Sequence, residues 1–364
     1  MKRKELVEAL ELVLPGVGEE TTGLNSVLFE DDWVKTYNED LSVSLKFQTG
    51  LSGGVPFDLL FKTADRMKGV EIELTSDDKK IQLKDGKTRL KLEKKTEEKL
   101  SRLKTKLADL ELDKLEWKPL PTSFLDGLAL AMFSADKDAN LGKLSGVIVD
   151  EGAILSTDNY RISQYTLDSS IYKDTIRITT AAVRNLLRVN KKFDSVSLTR
   201  REINGEITPY RLHFKSGDNL IVTARLLPMA DFPLAEVLGI FVDSGIESAV
   251  ETHELPKNLE ESIDRVTVLA SEGEGEMNWA SSVISLKTAD GNLIVYSKSQ
   301  GVGEIEDSIP WVGVLPGAGM MNVQSTFLKK VLSLTRSFKV SDDKKMVMFQ
   351  TPVFKHIMSV GVGI

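Results

Sequence analysis

The chain of 364 residues has no cysteine, which excludes disulfide bonds, thiolate metal ligands and a cysteine nucleophile. It also has no apolar run long enough to cross a bilayer. Residues 1–5 carry charge but precede no secretory core, because Glu8 and Glu11 interrupt the apolar residues between 6 and 14. We therefore expect a soluble, cytoplasmic protein with ordinary globular cores and no membrane partner.

Residues that could carry catalysis are also sparse. His213, His253 and His356 stand far apart, and none has a second metal ligand at helical or turn spacing, so we expect each on a strand or at the surface. Acidic pairs at 31–32, 77–78 and 342–343 are typical of hairpin turns, with a divalent-ion site as the alternative. A hydrolase with an acidic dyad is a further hypothesis, but the sequence offers no pair of acidic residues placed to support it. The sequence predicts a non-enzyme that needs no cofactor or metal.

What the chain does contain is one unit that recurs three times. The unit is a pair of alternating apolar–polar runs, an amphipathic helix with lysine or arginine, and a second alternating pair. A further helix opens each copy, predicted at 4–14, 122–133 and 258–270. The recurring segments are 27–29, 41–47, helix 57–67, 70–74 and 80–92; 147–149, 161–167, helix 180–190, 195–199 and 210–224; and 283–287, 293–297, helix 325–336, 338–340 and 345–349.

Proline-marked boundaries at 117–121 and 250–256 divide the chain into modules 1–119, 120–252 and 253–364. Each module is predicted to be α+β, with two helices packed on antiparallel sheets. The segment 93–114 is highly charged. Its leucines at 100, 103, 107 and 110 have helical spacing, so we expect an added surface helix there rather than disorder.

The net charge of −7 argues against a nucleic-acid partner, but the distribution of the charge argues for one. Lysine and arginine are concentrated in the second helix of each repeat. On a single helix these cations would simply solvate an exposed face, but their recurrence in all three second helices indicates a surface for a polyanion. Without interleaved aromatic residues they suit phosphate contacts, which are independent of sequence and weakened by salt. The predicted contacts to duplex DNA are Lys62, Arg66, Lys68, Arg184, Arg188, Lys191, Lys192, Lys329, Lys330 and Arg336.

The most specific local signal is the segment 152–162, which contains Thr157, Asp158, Arg161 and Ile162. It resembles the Thr-Asp-Gly-His-Arg-Leu segment of the bacterial DNA polymerase III beta sliding clamp family, with Asn159 and Tyr160 in place of glycine and histidine. The likeness continues at 178–189, 224–227, 232–233 and 356–364. The departures suggest a divergent member, with a phage origin as one reading.

The resemblance implies a ring of two head-to-tail subunits, first module against third, that encircles duplex DNA as a polymerase processivity factor. It also implies a groove where the polymerase and the clamp loader insert a short peptide. Leu144, Ile162 and Val237 could equally be core residues, whereas Tyr160 is expected to be partly exposed. A modified partner motif is predicted. The groove positions are Leu144, Thr157, Asn159, Tyr160, Arg161, Ile162, Pro233, Val237, Val323, Met358 and Val360.

Two other architectures remain open from the sequence. A β-rich structural or virion assembly protein built of repeated modules would account for the repeats but leaves the basic helices unexplained. A two-domain clamp that trimerises is the closer rival, and the count of three modules argues against it.

Overall fold

The structure is a computed structural model that describes residues 1–86, 88–135, 142–158, 160–203, 205–271, 283–299, 303–313, 315 and 319–360. The predictions made for Asn159 and for residues 361–364 lie outside these ranges. No helix within them is both long enough and apolar enough to span a membrane.

One order of elements occurs three times: a helix, four strands, a second helix and three strands. The first copy comprises α1 (Arg3–Val13), β1 (Ser26–Glu30), β2 (Trp33–Tyr37), β3 (Leu41–Lys46), β4 (Gly53–Pro56), α2 (Phe57–Arg66), β5 (Glu73–Ser76), β6 (Lys80–Asp85) and β7 (Thr88–Glu93), followed by α3 (Glu97–Ala108) and β8 (Lys118–Pro119). The second comprises α4 (Phe124–Ala131), β9 (Val147–Asp150), β10 (Ala153–Thr157), β11 (Arg161–Thr166), β12 (Ile176–Ile178), α5 (Thr180–Arg188), β13 (Ser195–Ile203), β14 (Glu206–Ser216) and β15 (Leu220–Leu227).

The third copy is preceded by α6 (Leu234–Asp243) and β16 (His253–Glu254). It comprises α7 (Leu259–Ser271), β17 (Val283–Ala289), β18 (Asn292–Ser299), β19 (Gly303–Pro310), β20 (Met320–Gln324), α8 (Ser325–Leu332), β21 (Ser337–Val340), β22 (Met346–Gln350) and β23 (Phe354–Ser359). The predicted α+β class is confirmed, as are the six repeated helices. The division into modules ending at 119 and 252 stays a prediction.

The basic helices form because their apolar residues recur every three or four positions. In α2, Phe57, Leu60 and Ala64 are buried. In α5, the Thr179 hydroxyl caps the first turn by accepting a hydrogen bond from the Ala182 amide at 3.0 Å. Burial of one face leaves the cations of each helix on the other.

The described chain divides into two compact units. The first consists of Met1–Ala129, Gly146–Gly152 and Asp168–Ala230. Its main sheet runs β9-β12-β15-β3-β2-β1-β4, with β14, β13 and β8 continuing from β15, and a separate sheet runs β5-β6-β7. Strand β3 pairs antiparallel with β15, the last strand of the second repeat, from Leu41 opposite Ala224 to Leu45 opposite Leu220.

Helix α3 confirms the helix predicted within 93–114. Leu100 and Leu103 are buried against Leu24, Leu28 and Tyr37, and Leu107 packs beside them. Because this apolar stripe is held against the sheet, the charged residues of the segment form a solvated face instead of a disordered linker.

The second unit consists of Leu130–Ser145, Ala153–Leu167 and Asp231–Ile364. Among its described residues, a sheet runs β16-β21-β22-β23-β11-β10 and a second sheet runs β19-β18-β17-β20. Strand β11 pairs antiparallel with β23, from Arg161 opposite Met358 to Tyr165 opposite Phe354. Helices α7 and α8 supply Leu259, Ile263 and Leu328 to its main apolar core.

The predicted helix 325–336 was too long. Helix α8 ends at Leu332, and the amides of Leu334 and Thr335 then fold back onto the Val331 carbonyl at 2.9 and 3.0 Å. Arg336 therefore lies in the connection to β21 and not on the helix. The elements that were not predicted include helix α6 and strands β2, β4, β8, β12, β16, β19, β20 and β23.

Candidate functional site

The cations of the first repeat lie on or just beyond α2. Lys62, Arg66 and Lys68 are all exposed. Lys62 forms an i,i+4 ion pair with Asp58, with 2.8 Å between Nζ and Oδ2. An ion pair this exposed contributes little and is easily exchanged for another anion. The face is therefore weakly positive.

The cations of the second repeat are more strongly displayed. Arg184 and Arg188 are exposed one turn apart on α5, away from the buried Val183 and Leu186. Lys191 and Lys192 follow the helix and are exposed too. Among the described residues no carboxylate forms an ion pair with any of these four cations, and Arg188 reaches only the Asn185 side-chain oxygen, at 3.4 Å. This is an uncompensated positive surface.

The cations of the third repeat are placed differently, because the neighbouring helix α7 presents carboxylates to them. Lys329 forms an ion pair with Asp264. Arg336 pairs with Glu260, with 3.2 Å between Nη2 and Oε1. Lys330 is exposed, with its ammonium 5.8 Å from the centroid of the Phe133 ring. The sequence of α8 contains no acid, so its own residues gave no sign of this neutralisation.

Most residues predicted to line the peptide groove are buried in the second unit. Val323, Met358 and Val360 belong to the apolar core around α7 and α8. Leu144 and Pro233 are half-buried. The members with less than a tenth of their surface exposed are Thr157, Arg161, Ile162, Val237, Val323, Met358 and Val360. A partner could contact these positions only through the half-buried and exposed residues around them.

Among the described members of the set, Tyr160 is exposed, with 59% of its surface accessible, as predicted. The turn that presents it is held by Asp158, whose Oδ1 accepts hydrogen bonds from the amides of Tyr160 (3.2 Å) and Arg161 (3.0 Å). Such a side-chain-closed turn fixes the backbone without needing a helix or ladder. Tyr160 is thus an exposed aromatic side chain on a backbone that is held by a hydrogen bond.

Arg161 also stabilises that turn, through contacts of its buried side chain. Its Nε donates to Asp158 Oδ2 at 3.0 Å, and its guanidinium carbon lies 3.1 Å from the centroid of the Phe327 ring on α8. Burial lowers the pKa of Arg161, while the bond to Asp158 opposes that shift. A buried cation held by one carboxylate and one ring is a positioning device for the adjacent segment.

All three histidines lie on strands, as expected, but two of them are buried. His213 contacts the hydroxyls of Thr199 (2.6 Å) and Thr223 (2.8 Å), and burial lowers its pKa to about 3. His356 contacts Ser163 at 2.8 Å, and burial likewise lowers its pKa to about 3. Ser163 and His356 are completely inaccessible, so this pair is a core hydrogen bond and cannot reach a substrate.

The acidic pairs occupy turns, as predicted. Asp31–Asp32 link β1 to β2 with positive φ at both residues. Asp77 lies between β5 and β6, where its carboxylate accepts from the amides of Lys79 (2.8 Å) and Lys80 (2.7 Å), and these bonds lower the pKa of Asp77. Across the residues that the structure describes, no group of three or more acidic or histidine side chains is placed to hold a metal ion.

Comparison with known proteins gives a likeness in structure only. No protein-family model and no curated protein sequence matches the chain. The beta subunit of DNA polymerase from Streptococcus pyogenes superposes with a TM-score of 0.74 at 15% identity, covering 99% of this chain and 98% of that one.

Two further solved structures agree. The DNA polymerase III beta subunit of Thermotoga maritima gives a TM-score of 0.72 at 14% identity, covering 100% of this chain and 99% of that one. The DNA polymerase sliding clamp of Bacillus subtilis gives 0.71 at 15% identity, with coverages of 100% and 98%. The chain therefore has, over its whole length, the fold of the bacterial DNA polymerase III beta subunit, the sliding clamp.

Proposed function

We propose that this chain is a DNA sliding clamp, a processivity factor that encircles duplex DNA and tethers a replicative polymerase in the cytoplasm. It acts by binding and not by catalysis. The observation that carries the proposal is the positive surface of Arg184, Arg188, Lys191 and Lys192 on a chain with the clamp fold. Flexible cations without aromatic neighbours contact phosphates irrespective of sequence, and such contacts permit movement along the duplex.

The way the repeats join within the chain supports the proposed ring closure. At two seams the third strand of one repeat pairs antiparallel with the last strand of the next: β3 with β15, and β11 with β23. The third strand of the last repeat is β19, and the last strand of the first repeat is β7. Both end their sheets among the described residues. A second copy would join β7 to β19 twice and close a head-to-tail ring.

Tyr160 and its turn support the partner role. An exposed aromatic side chain, in the same unit as half-buried Leu144 and Pro233, is suited to hold an apolar side chain of a short peptide from the polymerase or the clamp loader. A Tyr160→Ala variant should lose peptide-dependent polymerase binding while keeping the mass of the wild-type ring.

Topology tests the proposal. The protein is equilibrated with a nicked circular plasmid and passed over a sizing column, and the same complex is then cut once with a restriction enzyme. We expect retention on the circle and release on linearisation, from a species with the mass of two 40.3 kDa chains. Equal retention on circular and linear DNA would contradict encirclement.

A further inference from the structure

Helix α6 is almost entirely uncharged, although one side of it faces solvent. Of its ten residues only Glu236 and Asp243 carry charge. Val237 and Phe241 are buried, whereas Val242 has 72% of its surface exposed. A helix that is apolar on more than one side is normally covered on each of those sides. Helix α6 therefore presents an apolar surface that the described part of the chain leaves open.

The open surface follows a regular helical spacing. It consists of Ala235, Leu238, Gly239 and Val242, at positions i, i+3, i+4 and i+7, and is called the α6 face below. Ala235 and Val242 are exposed, and Leu238 and Gly239 are half-buried. None of these four residues belongs to the predicted peptide groove. The α6 face is thus a separate surface with the geometry of a helix–helix contact.

Gly239 shows that this face suits a close approach. Glycine destabilises the interior of a helix relative to alanine. Apart from the backbone of its own helix, a methyl group at Gly239 would meet within 4 Å only Oδ2 of Asp243, at 3.1 Å, and that exposed side chain can rotate away. The described chain therefore does not need glycine at this position, whereas the backbone of an approaching partner does.

The charge around the α6 face has one sign. Between Arg225 and Lys257 the sequence has six acidic residues and no lysine or arginine. Glu236 and Asp243 are exposed two turns apart along one flank of the face, and neither forms an ion pair with a described residue. Lys355 lies 5.9 Å from the centroid of the Phe241 ring, but it pairs with Glu247, beyond the helix. The flank of the α6 face is therefore negative.

Helix α3 shows that an apolar outward face is not required at this place in the fold. Both helices follow the last strand of a repeat and precede a strand of two residues. The outward residues of α3 include Glu98, Ser101, Arg102 and Thr105, all exposed and all polar. Solvent suffices to cover such a face, whereas the α6 face gains by burial.

We propose that the α6 face docks an amphipathic helix of a partner protein, one that carries aliphatic residues and a basic flank. Its aliphatic side chains would pack on Leu238 and Val242, with its backbone close to Gly239. Lysine or arginine side chains two turns apart would pair with Glu236 and Asp243, which stand about 10 Å apart along the helix axis. The same carboxylates repel DNA, so the occupant is a protein. This docking does not depend on ring closure.

A display library of single-helix peptides tests the proposal. Each peptide has a fixed aliphatic stripe, and its flanking positions vary among lysine, glutamine and glutamate. Selection is made on the full-length wild-type chain. We expect enrichment of lysine at two positions seven residues apart. Binding of the selected peptides should weaken at least roughly 10-fold in Gly239→Gln, which blocks the approach, and in Glu236→Lys with Asp243→Lys, which reverses the flank. Ser101→Gln on α3 is the matched control and should change nothing.

The remaining outcomes decide against the proposal. Gly239→Gln should unfold at a slightly higher temperature than wild type, because glutamine favours a helix, so that lost binding is not lost folding. No enrichment, enrichment of glutamate, or equal binding to Gly239→Gln would overturn the docking site. Peptides lost only in Tyr160→Ala would lie in the proposed groove and overturn it too. A larger sedimenting mass for wild type than for Gly239→Gln would assign the face to a second copy instead. Should Gly239→Gln fail to fold, the reversed flank decides.

Discussion

Helices α5 and α8 follow the fourth strand of consecutive repeats, yet they present very different charge. The cations of α5 and its end form no ion pair with any described residue, whereas Lys329 on α8 and Arg336 beyond it are paired with Asp264 and Glu260 of α7. The corresponding first helix of the second repeat, α4, carries Asp126 as its one acidic residue. Repeats that share a fold can thus divide a function unequally.

The difference teaches that lysine and arginine in the sequence of a helix do not by themselves define a phosphate-binding surface. A lysine already paired with a carboxylate must give up that pair to bind DNA, and the gain is reduced accordingly. We therefore expect most of the DNA affinity to come from the second repeat. In the third repeat, the carboxylates of α7 compete with DNA phosphates for the same cations.

The largest expected effect is the loss of the α5 cations. Arg184→Ala with Arg188→Ala should weaken binding to duplex DNA at least roughly 10-fold. It should also lower the slope of log affinity against log salt by about 0.9 for each phosphate that is no longer neutralised. Fluorescence anisotropy across a salt series measures both. An unchanged slope would show that α5 does not touch phosphate.

The second effect is a gain. Asp264→Asn removes the partner of Lys329, so the third repeat should contact DNA better and affinity should rise about two- to fivefold. Asp78→Asn, in the turn before β6, makes the same change in net charge and is the control. If both substitutions raise affinity equally, net charge and not the α7 pairing is responsible.

The third effect is small by design. Lys329→Ala with Lys330→Ala removes as many charges as the α5 double substitution, but we expect less than about a threefold loss of affinity, because Lys329 is already neutralised. A loss matching that of the α5 variant in the same anisotropy assay would abolish the distinction between the two helices.

The difference between α5 and α8 should not change near neutral pH. Below neutral pH, acid should destabilise both compact units. His213 and His356 have folded pKa values of about 3, against roughly 6.5 when unfolded. As the pH falls from about 6.5 towards 3, the unfolded chain takes up protons that the folded chain does not, so stability declines across that window. The midpoint temperature of thermal unfolding should decrease as the pH is lowered from 7 to 5. The His213→Gln substitution should make this decrease smaller. An identical pH dependence in the variant would exclude His213 as a cause.

Much of the fold could be predicted because its signal is local. Buried residues at three- and four-residue spacing marked α2 and α5, and the leucines of 93–114 marked α3 despite its charge. Strands β4 and β20 were missed because each is only four or five residues long and runs directly into a basic helix. The end of α8 was misplaced because no glycine or proline stands there.

The candidate site was predictable only where it depends on one segment. The exposure of Tyr160 followed from its position at a strand end, and the α5 cations followed from their own spacing. The neutralisation of Lys329 could not be predicted from the sequence, because its partner Asp264 lies 65 residues away along the chain. The burial of Val323 and Met358 in one core likewise depends on tertiary contacts that no short segment encodes.

The absence of cysteine permits the most direct test of encirclement, because introduced thiols have no competitors. Arg89→Cys is combined in one chain with Glu304→Cys, and in a second chain with Glu306→Cys, so that two registers of the β7–β19 pair are sampled. The protein is loaded on a nicked circle, oxidised and denatured in detergent. We predict that one combination gives a covalently closed ring that stays linked to the intact circle and is freed by a single cut. Cross-linked protein that leaves the uncut circle would contradict the account.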